Sequence, residues 1–137
     1  MSVVKELIRA EKTGEISFGN YELAQKEKVE DFKFGGDIYK VKTYKDITKL
    51  EKNGSFVYES VPGTAVTGLV ETEEGMKFTV EGTTDAQITV ELGDEAEYAI
   101  NINGEETGSM KTNLGGKVTI SVELNEGEQS SVIITRK

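Results

Sequence analysis

From Thr64 onward, apolar residues recur at every second position in run after run. Met76, Phe78 and Val80 alternate with Lys77, Thr79 and Glu81. Ala86, Ile88, Val90 and Leu92 alternate with Gln87, Thr89 and Glu91. The same holds for Tyr98, Ile100 and Ile102, and for Val118, Ile120, Val122 and Leu124. A period of two places one set of side chains on a buried face and the other in water, the pattern of antiparallel strands packed on one side only. A chain built this way is committed to sheets.

Ala65 to Glu71, a short run near Ser109-Met110-Lys111, and Val132 to Thr135 bring the total to about seven strands, separated by turns, in the second half of the chain. That spacing predicts an antiparallel β-sandwich of immunoglobulin or fibronectin type III kind, without the inter-sheet disulfide or core Trp. Before it, two-residue loops divide short apolar runs and predict β-hairpins. Gly19-Asn20 separates Ile16-Ser17-Phe18 from Tyr21-Glu22-Leu23, Gly35-Gly36 separates Phe32-Lys33-Phe34 from Ile38 to Val41, and Asn53-Gly54 separates Ile47 to Lys52 from Phe56-Val57-Tyr58. Counting back from Asn53-Gly54 sets Leu50 opposite Val57 and Lys49 opposite Tyr58; Tyr44, Ile47 and Leu50 also suit one or two helical turns, with the hairpin the preferred reading. Val3, Val4, Leu7 and Ile8 stand at helical spacing, which predicts a short amphipathic helix over residues 2–12, capped by Ser2 and stopped at Thr13-Gly14. Pro62, in the turn sequence Val61-Pro62-Gly63-Thr64, divides an N-terminal helix-plus-hairpin part (1–63) from a C-terminal module (64–137).

Charge divides at the same place. Met1 to Gly63 carries 11 bases and 11 acids, so the remaining 5 bases and 14 acids put the whole net charge of −9 beyond Gly63. A field of that sign repels phosphate backbones and anionic lipid, and neither nucleic acid nor a membrane surface is expected as a partner. The chain has no His, Cys or Trp. It therefore supplies no His-based triad, Cys nucleophile, thiolate or imidazole metal site, or disulfide. Gly115-Gly116 precedes a strand and no Gly-x-x-x-x-Gly-Lys run occurs, so no nucleotide cradle or other cofactor site is predicted. The start lacks the basic and apolar regions of a secretion signal, and no apolar run is long enough to span a bilayer, which predicts a cytoplasmic protein.

Paired carboxylates can run glycoside hydrolysis alone. The acids Glu71, Glu73, Glu74, Glu81, Asp85, Glu91, Asp94, Glu95 and Glu97, however, all sit at turns or on polar strand faces, where no apolar enclosure raises a pKa. Asp94, Glu95 and Glu97, or Glu81 and Asp85, are oxygen donors for calcium, but neither group has the EF-hand spacing. Glycan platforms want exposed aromatic faces. Phe78 and Tyr98 fall on the buried side of their runs, which leaves Tyr21, Tyr39, Tyr44 and Tyr58 of the N-terminal part as the candidate binding surface. The sequence thus predicts a non-enzymatic protein that works through a protein partner or a homo-oligomer, with a carbohydrate-binding or accessory module as the alternative.

Three stretches carry a resemblance: Glu15 to Leu23 (EISFGNYEL), Phe56 to Thr64 (FVYESVPGT) and Met110 to Lys117 (MKTNLGGK). Through them the whole chain is similar to short proteins of clostridial and related Firmicutes genomes sometimes labelled endosialidase. That label implies a small glycosidase-related protein and an arginine cluster gripping a substrate carboxylate; here the only arginines are Arg9 and Arg136. The C-terminal part separately resembles the small β-sandwich accessory modules of carbohydrate-active enzymes.

Overall fold

The computed structural model describes residues 3–93, 95–112 and 114–137. Among them the regular structure is entirely strand: β1 (Ile8–Ala10), β2 (Ile16–Phe18), β3 (Glu27–Phe34), β4 (Asp37–Tyr44), β5 (Ile47–Lys52), β6 (Ser55–Val61), β7 (Ala65–Thr72), β8 (Gly75–Glu81), β9 (Ala86–Glu91), β10 (Glu97–Ile102), β11 (Glu105–Lys111), β12 (Lys117–Val122) and β13 (Gln129–Arg136). They form a seven-stranded sheet in the order β1-β2-β7-β8-β13-β10-β11 and a six-stranded sheet in the order β12-β9-β6-β5-β4-β3. Every ladder is antiparallel. The result is a β-sandwich-like, all-β fold, as the alternation predicts. Both sheets draw strands from either side of Gly63, because β2 pairs with β7 and β6 pairs with β9.

One apolar cluster lies between the sheets and includes Phe18, Val41, Leu50, Tyr58, Val66, Phe78, Val80, Ile88, Val90, Ile100, Ile120, Val132 and Ile134. At its centre the Tyr58 ring meets Phe18 and Phe78 edge-on, with centroids 5.2 and 5.6 Å away, the geometry that sets a ring's positive edge against a neighbour's negative face. The Tyr58 hydroxyl does not stay dry and unpaired. It lies 2.8 Å from Thr64 Oγ1, which is 2.7 Å from Ser60 Oγ. The Thr64 carbonyl accepts from Thr48 Oγ1 at 2.8 Å, and Thr48 Oγ1 lies 2.8 Å from Thr43 Oγ1. All five hydroxyl residues are fully buried. They satisfy one another where the chain crosses from the six-stranded sheet into the seven-stranded one at Pro62 to Thr64, and so meet the requirement that buried polar groups be paired.

The N-terminal helix predicted over residues 2–12 is absent: Ser2 lies outside the described residues, and residues 8–10 are strand. An isolated helix of that length gains little over its nucleation cost, whereas the backbone here finds a partner in β2. Val4 N–H donates to Gly19 O and Gly19 N–H to Leu7 O, each at 3.0 Å, and Ile8 to Ala10 pair with Phe18 to Ile16. Val4, Leu7 and Ile8 are buried as their apolar character requires, through a turn with Leu7 at φ 73° followed by a strand. Residues 12–14 form the turn of this hairpin.

The loops Gly35-Gly36 and Asn53-Gly54 are hairpin turns, pairing Phe34 with Asp37 and Lys52 with Ser55. Residues 47–52 are strand, which settles the helix-or-hairpin alternative. Past Asn53-Gly54 the predicted register fails after two pairs, because the ladder slips between Leu50 and Glu51 so that Leu50 pairs with Tyr58 and Val57 is the extra residue. A bulge turns two successive residues inward, and Val57 and Tyr58 are both buried. Around Gly19-Asn20 no hairpin forms. Residues 21–24 are turn and bend, and β2 lies between β1 and β7.

Candidate functional site: an open sheet edge and an end cleft

Four strands form the sheet edges, β1 and β11 on one sheet and β3 and β12 on the other. An edge exposes main-chain donors and acceptors that another strand can pair, and most edges are blunted by shortness, bulges or charge. β1 is three residues long and carries Arg9, held by Glu6 at 3.6 Å and Glu11 at 3.1 Å. β3 carries Glu27, Lys28, Glu30, Asp31 and Lys33 and is broken by a register shift between Val29 and Phe32, with Asp31 at φ 58°. The β10–β11 ladder shifts between Ile100 and Asn101. β12 has none of these protections. Its ladder to β9 runs unbroken from Lys117↔Glu91 to Val122↔Ala86, and no charge stands between its ends.

The direction of its backbone follows from the ladder. Leu92 N–H donates to Gly116 O at 2.6 Å, so Gly116 and, at alternate positions, Val118, Ile120 and Val122 turn their main-chain groups toward β9. Thr119 and Ser121 turn theirs to the open edge. Their side chains agree with this, since Thr119 Oγ1 lies 2.9 Å from Thr89 Oγ1 and Ser121 Oγ accepts from Gln87 Nε2 at 2.7 Å, the closer side-chain approach of pairs that exchange no main-chain bonds.

Beside this edge the two sheets are out of step. The seven-stranded sheet continues past β10 to β11, every residue of which is exposed, while the six-stranded sheet stops at β12. The step is a groove of about 270 Å³ lined by Ile100, Ile102, Gly108, Met110, Ile120, Thr107 and Ser109 on its floor and wall and by Thr119 and Ser121 at its rim. Met110, 39% exposed, is an apolar side chain with no strand above it.

The second concave feature is at one end of the molecule, where Lys52 of β5 and Glu71 of β7 bridge the sheets at 2.6 Å. The hydrogen bond that it donates to Glu71 holds the Lys52 ammonium above its ordinary pKa. A volume of about 450 Å³ on one side of the bridge is lined by Ile16, Phe34, Asp37, Tyr39, Leu69 and Val70. About 340 Å³ on the other is lined by Phe56, Glu73, Glu91, Tyr98 and Arg136. Lys117 Nζ stands 4.6 Å from the centroid of the Phe56 ring, a cation–π contact.

The four tyrosines of the sequence-predicted surface fall in different environments. Tyr58 is fully buried in the core and offers no surface; the bulge at Val57 moved it there from the wet face. Tyr39 lines the end cleft, half-buried, with its ring 6.4 Å from Phe34, and burial raises its hydroxyl pKa. Tyr44 is half-buried beside Ile47 at the β4–β5 turn. Tyr21 donates to Glu81 at 2.6 Å. Of the acids considered for calcium, Glu81 is buried, Asp85 accepts from Leu124 N–H at 3.0 Å, and Glu97 lies 3.9 Å from Lys137. Asp94 lies outside the described residues. No group of three or more acids among the described residues is gathered as a metal site, and no described helix could cross a membrane. The open edge escaped the sequence reading because it depends on strand order; its one local signal is the uncharged run from Val118 to Val122.

No protein-family model, curated protein or solved structure matches this chain.

Proposed function

We propose that this chain is a non-catalytic β-sandwich protein that acts through protein contacts or self-association, and that the contact is made by adding a strand to β12. The observation carrying this reading is the step between the sheets, which leaves the outward main chain of Thr119 and Ser121 beside an apolar groove. Strand addition draws affinity from main-chain hydrogen bonds and selectivity from pockets for alternate side chains, and the step supplies both. The acidic C-terminal half adds long-range attraction for basic partners. The seven-strand spacing of residues 65–136 supports an immunoglobulin or fibronectin type III kinship, and the stretches around Glu15, Phe56 and Met110 support the clostridial one. A cytoplasmic location belongs to the same reading.

Selection of a random peptide library on the immobilised protein tests it. Enriched peptides should alternate apolar and polar residues and should lose binding to Ser121→Pro, which removes an outward N–H where an edge strand tolerates proline. Peptides without alternation, or equal retention by Ser121→Pro, would overturn it.

Carbohydrate binding is the second reading, favoured by the end cleft, where the Phe34 and Tyr39 rings stand beside Asp37 and the Lys52–Glu71 bridge. Affinity electrophoresis in polysaccharide gels should then show retardation that Tyr39→Ala abolishes; mobility unchanged across a broad glycan panel counts against it.

A further inference from the structure

The open edge is electrically polar along its length, and that polarity specifies its occupant. β11 leads into β12 through a connection that lies alongside the one between β9 and β10: Thr112 N–H donates to Ala96 O at 2.8 Å and Leu92 N–H to Gly116 O at 2.6 Å. β11 and β12 therefore run in opposite directions across the groove, with Lys111 and Lys117 at one end and Glu105, Glu106 and Glu123 at the other. At the lysine end each base faces an acid on the neighbouring strand, Lys111↔Glu97 and Lys117↔Glu91. At the glutamate end no base faces the acids: Glu105 pairs with Ile102 and Glu106 with Asn101, and Glu123 follows the Val122↔Ala86 pair on the side of Asp85, which accepts from Leu124 N–H. Net charge along the groove is thus concentrated at the glutamate end.

Resting on the strand-addition reading, we infer that the groove takes an extended segment of a different polypeptide, running antiparallel to β12, with a basic residue at its N-terminal end and apolar side chains at alternate positions. An antiparallel strand starts beside Glu123 and ends beside Lys117, so its basic first residue meets Glu105, Glu106 and Glu123. Its inward side chains cover Met110, Ile102 and Ile120. Its main chain pairs with Thr119 and Ser121.

A second copy of this chain fits less well, on charge and on space. Seating the copy's β11 beside β12 in antiparallel fashion matches the step in the sheets, but sets its Lys111 beside Lys117 and its Glu105 and Glu106 beside Glu123. Like charges directly across a sheet are unfavourable. Seating the copy's β12 there matches the charges, yet its own seven-stranded sheet then brings β11 into the space that β10 fills.

The test uses the full chain and two synthetic peptides, Lys-Ala-Thr-Val-Thr-Val-Glu and its end-swapped form Glu-Ala-Thr-Val-Thr-Val-Lys, titrated by calorimetry with amide chemical shifts followed by NMR. The first peptide should bind about tenfold more tightly than the second, a preference that shrinks as salt is added. Its shifts should centre on Thr119, Ser121 and Met110. Ser121→Pro and, on an exposed side chain, Met110→Glu should each weaken it. Equal affinities, both lost in Ser121→Pro, would overturn the polarity argued here and leave strand addition standing. No binding of either peptide would overturn both. A dimer seen by light scattering and abolished by Ser121→Pro would identify a second copy as the occupant and overturn the inference.

Discussion

Tyr21, in the turn after β2, donates its hydroxyl to Glu81 Oε2 at 2.6 Å, joining residues far apart in sequence through a carboxylate that is only 6% exposed. A buried carboxylate is costly unless charge-assisted hydrogen bonds compensate it. Tyr21→Phe removes one such bond while keeping the ring, and the expected loss of stability is about 1–3 kcal/mol, read from denaturant midpoints. A change within a few tenths would show that Glu81 is compensated by its other contacts.

The same pair sets a response to alkali. Burial, and then the Glu81 carboxylate, push the Tyr21 hydroxyl well above the ordinary tyrosine range, and burial does the same at Tyr58. A pKa raised by folding gives stability that is whole below the unfolded value of about 10 and is lost as pH climbs toward the folded one. Part of the tyrosinate absorbance should accordingly stay absent at moderately alkaline pH and arrive together with unfolding. In Tyr21→Phe that late part should shrink. A single early titration accounting for every tyrosine would contradict the burial of both hydroxyls.

In the hydroxyl cluster the two ends of one bond are unequal. Tyr58→Phe removes a hydroxyl and leaves Thr64 Oγ1 still paired with Ser60 at 2.7 Å, a loss of about 1 kcal/mol. Thr64→Val strips the shared partner from both Tyr58 and Ser60, which are fully buried, and should cost about 3 kcal/mol. Equilibrium unfolding of the two variants checks the order; Tyr58→Phe as the worse of the two would mean that the Tyr58 and Ser60 hydroxyls find other partners once Thr64 Oγ1 is gone.

β8, β9, β10, β12 and β13 are legible because each has one wet and one dry face, so a period of two survives along the run, whereas β7 is interrupted by its register shift and β11 is exposed throughout. β1 is not legible, since three residues carry no readable period, and β2, legible as a strand at Ile16-Ser17-Phe18, finds its partners in β1 and β7 and not across Gly19-Asn20. The stripe Val4, Leu7 and Ile8 was rightly apolar but was matched to the wrong period. Tyr58 was misplaced by the single extra residue Val57, because a bulge reverses the facing of everything beyond it. Of the four candidate tyrosines, Tyr39 lines a cleft. The open edge at β12 was invisible for a further reason: local sequence does not say that β11 has nothing facing it.

Two glycines separate close approach from backbone strain. A Cβ at Gly63 would fall 2.0 Å from the Tyr44 carbonyl oxygen, where the crossover packs on the β4–β5 turn. At Gly54, with φ 81°, a Cβ would meet nothing within 4 Å. Gly63→Ala should therefore cost about 3 kcal/mol, the upper end for overpacking, and Gly54→Ala about 1–2 kcal/mol from its left-handed conformation alone. Thermal midpoints measured side by side test the ranking, and equal losses would mean that the Tyr44 carbonyl gives way.

Ser17 serves two strands at once. Its hydroxyl donates to Glu11 and accepts the Gly68 N–H at 3.1 Å, at the point where the β2–β7 register shifts. The Ser17 bond, with help from Arg9, holds the Glu11 carboxyl below its ordinary pKa against the opposing effect of burial. A carboxylate depressed by folding contributes stability that is present above the unfolded value, about 4.3, and is lost as pH falls through the lower folded value. Ser17→Ala should return the Glu11 titration, followed by carboxyl NMR, toward the ordinary range and flatten that part of the acid dependence. It also leaves Gly68 N–H without its acceptor, so a loss of about 1–2 kcal/mol is expected at neutral pH as well. If Glu11 titrates unchanged in Ser17→Ala while stability falls, the hydroxyl matters for the bulge and Arg9 alone sets the carboxyl.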